Sequence, residues 1–416
     1  MRRELRKLKT LAEARRILWE ALPERLRQGR LGAVEPADIE HAVGCALARP
    51  VTVPDDLPPF DRSTVDGFAV RAQDTFGASE GLPAYLEIAG AVRMGELPDF
   101  ALPPNRAAHI PTGGMLPAGA DAAVMVEHTQ PWGENSVEVL RPAAPGENVV
   151  RRGDDLRRGE ELLPAGHRLR PQDVSALAGL GLGRVEVCRP RVGVLSTGLE
   201  LVPHTDTPSP GQIRDMNGPA LRAAVRGLRG IPVDLGIVTD EREALRAALQ
   251  RGVAECDLVL ASGGTSVGAE DLIPEMIDAL GPPGVLVHGL SVKPGRPLVI
   301  GLVGEVPVFG LPGHPTSALV IFREVVAPLL RPAREGRPDT FATVQARLAR
   351  NLPSQAGRQD FVRVRLEWHE GEWRAAPVLG PSALISSLVQ ADGIVRVPAE
   401  AEGLYAGEMV EVELLT

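Results

Sequence analysis

A chain of 416 residues is too long for one hydrophobic core, and 44% apolar with 24% charged residues is the balance of an ordinary multidomain globular protein. A net charge of −9 and only 3% aromatic residues provide neither the basic face of a duplex binder nor the stacking platform of a single-strand binder, so nucleic acid is not an expected partner. No apolar run approaches the ~18 residues of a membrane span, and the three cysteines (Cys45, Cys188, Cys256) are too scattered for a disulfide framework or a cysteine metal site, so no membrane and a reducing cytoplasmic setting are expected.

In chain order, Leu5, Leu8, Leu11, Ile17, Leu18 and Leu22 recur at three-to-four spacing, which predicts an amphipathic helix over 5–22. A second helical stretch is expected over 37–46, ending before Pro50. Prolines and aspartates then forbid a regular element until Gly67, where Phe68-Ala69-Val70 starts a strand. Asp61 and Asp66, two carboxylates in an extended loop, suit cation binding, acid/base work or a solvated turn. Apolar runs at 85–92, 107–110, 122–126 and 137–140, broken by proline and glycine, read as a small β domain. Residues 148–184 are mixed in style, with a short helix over 171–180 and Asp173 placed as a cap.

From Val185 the alternation becomes regular: a strand at 191–197, a helix at 217–228, a strand at 233–238, a helix capped by Asp240, and a strand at 257–262. Strands separated by helices imply parallel β-α-β units, whose ligands bind at the carboxyl edge of the sheet. Ser196, Gly198, Glu200 and Asp240 fall on that edge. So does the turn containing Ser262, Gly263, Gly264, Ser266 and Gly268, after which helical spacing resumes at Ile273. A second apolar run, 306–311, stops at Pro312-Gly313-His314-Pro315 and restarts as a helix at Thr316 and Ser317. Glycine-rich strand-to-helix turns expose backbone N–H groups to an oxyanion. Between the two turns lies Lys293-Pro294-Gly295-Arg296-Pro297, two cations in a turn stiffened by two prolines. The chain has only three lysines, Lys7, Lys9 and Lys293, so a lysine kept in this cluster points to a need for a compact, rotatable charge. Glu200, Asp240 and Asp271 converge on the same edge as a set for a divalent cation. The tail, with alternating runs at 361–366 and 409–414, reads as a second small β domain.

The segments SGGTSVG, KPGRP and GLPGHPTSA, taken with PPFDRSTVDGFAV and STGLEL, closely resemble the motifs of the molybdopterin molybdenumtransferase family, the MoeA-type proteins that include the E domain of gephyrin. The resemblance runs from about residue 10 to the C-terminus. It implies a multidomain α/β plus β fold. Residues 1–26 and 185–331 form a parallel-sheet molybdopterin-binding domain, 27–50 and 148–184 a discontinuous mixed linking domain, and 51–147 and 338–416 two small mainly-β domains. It implies conversion of adenylylated molybdopterin and molybdate, with Mg²⁺, into AMP and molybdenum cofactor. It further implies a homodimer in which Asp66 reaches the cleft across the interface with Thr112 beside it, and transient contact with the adenylyltransferase and with molybdoenzymes. Asp155 falls in a matching element. Arg363 and Ser382 match the family's molybdate-contacting elements, to which Lys293 and Ser317 are added around the oxyanion. Pro294, Gly295, Arg296, Pro312, Gly313 and His314 match substrate-binding segments.

Two departures bear on this expectation. Leu199 stands where the family commonly has aspartate, and His314 where it has asparagine. They leave room for a non-catalytic molybdopterin-binding scaffold or a tungstate-using paralogue. The shared α/β domain also leaves room for a molybdopterin adenylyltransferase.

Overall fold

Residues 8–28, 30–263, 272–331 and 341–415 are described by the computed structural model. The chain divides into two units, one of residues up to 49 with 165–174 and 184–416, the other of residues 50–164 with 175–183.

The larger unit is built on a six-stranded sheet: β1 Arg191–Thr197, β2 Ile231–Val238, β3 Leu258–Ser262, β4 Pro283–His288, β5 Val299–Val303 and β6 Val306–Leu311, in spatial order β2-β1-β3-β6-β5-β4. The first four of that order are parallel, while β5 runs antiparallel to both β6 and β4. Both faces of the central strands are covered. Val192, Val194, Leu258, Leu260, Phe309 and Leu311 face α1 (Leu11–Ala21), α2 (Asn217–Gly227) and α5 (Pro315–Ile321). The alternate residues Leu195, Val259, Ala261 and Val308 face α3 (Arg242–Glu255) and α4 (Leu272–Leu280). Period-two alternation therefore feeds two cores, and the strands read as continuous apolar runs because neither face meets water.

The sequence-based elements need two corrections. Within the described residues the first helix begins at Leu11, because Thr10 and Glu13 form a reciprocal capping box and Lys9 instead pairs with Gly289 as extended chain; Leu5 lies outside the described residues. The stretch over 37–46 is not a helix: Ala33–Asp38 is an edge strand antiparallel to Arg184–Arg189, followed by turns and the two-residue strand Ala46–Leu47. Pro36 is tolerated because it lies on an edge strand, and pairing with a segment about 150 residues away leaves no trace in local spacing.

Gln359–His369, Glu372–Pro377, Thr343–Leu348, Met409–Leu414 and Gly393–Val397 pair in that order, and Gly393–Val397 returns to Gln359–His369, closing a five-stranded barrel. The alternating runs of the tail pack Val364, Val395, Val397, Val410 and Val412 inward. The strand Val292–Lys293 adds to it in parallel, setting Lys293 opposite Asp360. A buried ion network ties this barrel to the sheet layer. Glu324, wholly buried, receives Arg15 at 3.1 Å and Arg396 at 2.7 Å, while Arg323 reaches Glu413 at 2.8 Å. Arg363 and Lys293 are thereby carried on the same compact unit.

In the smaller unit a second six-stranded sheet contains Ala122–Met125, Gly67–Val70, Arg106–Ile110, Ala84–Ala91, Ser136–Val139 and Thr129–Trp132, in that order. Its core is Phe68, Val70, Leu86, Val124, Val137 and Val139, as the proline- and glycine-punctuated runs lead one to expect.

Candidate functional site

At the carboxyl edge of the parallel sheet the larger unit opens into a cavity of about 1530 Å³. The candidate residues of the sheet layer reach it in five places: after β1, after β2, after β3, after β6, and through the turn between β4 and β5. Ser196, Gly198, Glu200, Asp240, Ser262, Gly263, Lys293, Pro294, Gly295, Arg296, Pro312, Gly313, His314 and Ser317 line it from the sheet layer. Arg363 and Ser382 line it from the barrel. Gly264, Ser266, Gly268 and Asp271 lie outside the described residues. Asp66 and Thr112 belong to the smaller unit.

Glycine is required where backbones meet. Gly263 has φ +107°, and a Cβ there would stand 2.1 Å from the carbonyl oxygen of Thr197, so β1 and β3 close together only without a side chain. Gly295, at φ +109°, presses against Ile321 of α5, where a Cβ would come within 2.3 Å. That contact fixes the turn carrying Lys293 and Arg296.

The cations are of two kinds. Lys293 and Arg296 are exposed to the cavity and have no carboxylate partner among the described residues. Arg363 is only 7% exposed; its Nη2 donates to Gly380 O at 2.8 Å, and its buried Nε has no acceptor. Burial pushes its pKa down, and no carboxylate among the described residues counters that effect. The neighbouring cation Arg358 is different, since Asp360 neutralises it at 2.7 and 3.0 Å. A buried guanidinium without an internal anion is electrostatically suited to an external one. Around it, His314 Nδ1 lies 2.9 Å from Ser382 Oγ, and the Thr316 N–H at the start of α5 donates to Ser382 O. That N–H is therefore committed to the protein, and the oxyanion capacity of this turn rests on side chains more than the sequence pattern implies.

Among the carboxylates, Asp240 is not the cap of α3. The N-cap position is Glu241, and Asp240 instead accepts a hydrogen bond from Thr197 Oγ1. Glu200 folds over Gly198, whose Cβ would come within 2.8 Å of its Oε2. Both acids line the cavity and offer hard oxygen donors, the chemistry a small divalent cation takes. Asp271, third of the expected set, lies outside the described residues. Among the described residues no group of three His, Cys, Asp or Glu is placed to hold a metal. Leu199, between Gly198 and Glu200, is 70% exposed.

Two polar residues absent from the sequence-based selection are also in the wall. Asp215 accepts from Ser196 Oγ at 2.9 Å and from the Gly218 N–H at 3.0 Å. Asn217 Nδ2 donates to Ser262 Oγ at 2.6 Å and to Gly313 O at 2.8 Å, joining three of the cavity segments. The signal available was the Asp-x-Asn-Gly that precedes the apolar stripe Leu221, Val225, a helix-start pattern. In the smaller unit Asp66 and Thr112 are brought together: Asp66 Oδ1 accepts the Thr112 N–H at 2.7 Å, and both are exposed. Asp61 takes up a structural tie, accepting the Arg152 N–H at 2.8 Å.

Three family models match the chain: "MoeA N-terminal region (domain I and II)" over residues 9–181, "Probable molybdopterin binding domain" over 193–332, and "MoeA C-terminal region (domain IV)" over 345–415. Among similar proteins are the molybdopterin molybdenumtransferase of Bacillus subtilis, 32% identical over 92% of this chain and 90% of the relative. Molybdopterin molybdenumtransferase 2 of Mycobacterium tuberculosis is 35% identical over 91% and 94%. The crystal structure of the molybdopterin biosynthesis MoeA protein from Pyrococcus horikoshii superposes with a TM-score of 0.81 at 32% identity, covering 98% of this chain and all of the other.

Proposed function

Since the chain belongs to the MoeA family of molybdopterin molybdenumtransferases, we propose that it inserts molybdenum into adenylylated molybdopterin, consuming molybdate and releasing AMP. Water adds across the phosphoanhydride, giving AMP and a pterin phosphate with loss of two protons. The dithiol then takes up molybdate, losing its two protons with one oxo group as water. The reading rests chiefly on Arg363, a buried cation with no anionic partner among the described residues, set in the same cavity as Lys293, which has none either. Arg363, Lys293, Ser382 and Ser317 hold the tetrahedral oxyanion in this scheme. The backbone at Gly263 and the Gly295 turn, held by the contacts with Thr197 and Ile321, faces the phosphates in this scheme. Glu200 and Asp240, with Asp271, are the residues that would hold Mg²⁺. When bound, that cation withdraws charge from the phosphoanhydride oxygens. A cytoplasmic homodimer meeting its adenylyltransferase supplier and molybdoenzyme recipients completes the proposal.

The test is AMP release from adenylylated molybdopterin with Mg²⁺, with and without molybdate or tungstate. Oxyanion-stimulated release is expected. Binding without release would favour a scaffold instead, a reading that the exposed Leu199 supports because it places an apolar side chain beside the carboxylate pair. Release stimulated by tungstate and not by molybdate would identify a tungsten-using relative.

A further inference from the structure

Asn217 is 9% exposed and opens α2 at the edge of the sheet. Its amide orientation is fixed chemically. Gly313 O can only accept, so the group 2.8 Å away must be Nδ2, and flipping the amide would set two oxygens against each other. Oδ1 is then a buried acceptor with no donor among the described residues. Such a group is costly to leave unmade. Ser262 has the complementary property. Its Oγ receives the second Nδ2 hydrogen at 2.6 Å, which leaves its own hydroxyl hydrogen to donate, and no acceptor for it is found among the described residues. Asp215 serves neither group: a carboxylate has no hydrogen for Oδ1, and the donors it takes are Ser196 Oγ and the Gly218 N–H. Both Asn217 and Ser262 line the cavity.

The geometry points to a lactam reader: Asn217 Oδ1 accepts a ring N–H, and Ser262 Oγ donates to the carbonyl oxygen beside it. We propose that this pair recognises the cyclic amide edge of the pterin, a deepening that rests on the reading of molybdopterin as substrate. A pterin presents N3–H next to C4=O. Adenine offers an alternative donor–acceptor pair in N6–H and N1, which the AMP arm of the experiment tests. On this assignment the pterin end lies at the junction of β3, α2 and Gly313 and the adenylyl end elsewhere.

The experiment is equilibrium binding of 6-carboxypterin, its N3-methyl derivative and AMP to the full chain by calorimetry. The wild-type chain is expected to bind 6-carboxypterin at least about 10-fold more tightly than the N3-methyl compound, since a site built around an N–H rejects the analogue that lacks it. Asn217→Leu is expected to bring the two pterins within about 2-fold of each other, and Ser262→Ala to narrow the gap, with AMP affinity unchanged in both; loss of AMP affinity in Asn217→Leu would place adenine at the pair and overturn the pterin assignment. Equal binding of the two pterins by the wild-type chain would overturn the lactam reader while leaving the substrate reading standing, and needs no variant to fold. Undiminished preference in Asn217→Leu would overturn it as well. Failure of the wild-type chain to bind either pterin would overturn both.

Discussion

Replacing Arg363 by methionine should separate binding from folding, because the two are expected to respond with opposite signs. The guanidinium is 7% exposed and has one hydrogen bond, to Gly380 O; among the described residues its buried Nε has no partner and no carboxylate offsets its charge. Methionine loses that one bond, about 1 kcal/mol, but relieves the desolvation of a cation, which costs several kcal/mol when uncompensated. The unliganded variant should therefore melt at the wild-type temperature or above it. Oxyanion binding should suffer, since hydrogen bonds to charged groups contribute about 1.5–3 kcal/mol, a roughly 10- to 150-fold loss of molybdate affinity. Calorimetric titration with molybdate gives the affinity, and thermal melts with and without molybdate give the linkage. At 100 times the dissociation constant the wild-type chain gains about 2.7 kcal/mol, and the variant at the same concentration should gain much less. A variant that melts several degrees lower without oxyanion yet binds molybdate normally would show that Arg363 is a structural cation and would refute the argument.

Lys293→Ala should abolish molybdate-stimulated AMP release while leaving the melting temperature within a degree or two, as Lys293 is exposed and unpaired among the described residues; unchanged turnover would remove it from the oxyanion site. Asp173 is buried, which opposes ionisation, yet hydrogen bonds from Arg170, from His167 and from the Arg170 N–H outweigh this and hold its carboxyl at about 2. With a depressed folded value, it contributes stability that is complete above its ordinary value near 3.8 and lost as pH falls through about 2. Asp173→Asn should cost about 2 kcal/mol at pH 7 and nearly nothing at pH 2, read by denaturant unfolding at the two pH values. Glu324→Ala should be severe, since it leaves Arg15, Arg323 and Arg396 with Glu413 as their remaining acid in the network. A loss of about 3–5 kcal/mol, roughly 10 °C in melting temperature, is expected, and a loss under 1 kcal/mol would mean that water compensates the arginines.

The sequence by itself determined the α/β layer. Its strands 191–197, 258–262 and 306–311 are continuous apolar runs because both faces are buried, and Gly263, which ends the second of them, sits where a Cβ cannot fit. The residues at those strand ends were legible as candidates for the same reason, since in a parallel sheet all carboxyl ends share one edge. Lys293 stood out by composition alone. Tertiary structure decided what no local pattern encodes. Ala33–Asp38 is a strand only because Arg184–Arg189 lies beside it. Asp173 shows its strength only once Arg170 and His167 are seen to converge on it. Asn217 looked like an ordinary helix start, and only the approach of Gly313 and Ser262 from two other segments pins its amide and leaves one oxygen facing inward unpaired. Arg363, in an alternating strand, carries no sign of burial. Its charge acquires meaning from the absence of a carboxylate around it among the described residues, a property of three-dimensional neighbours that chain order does not record.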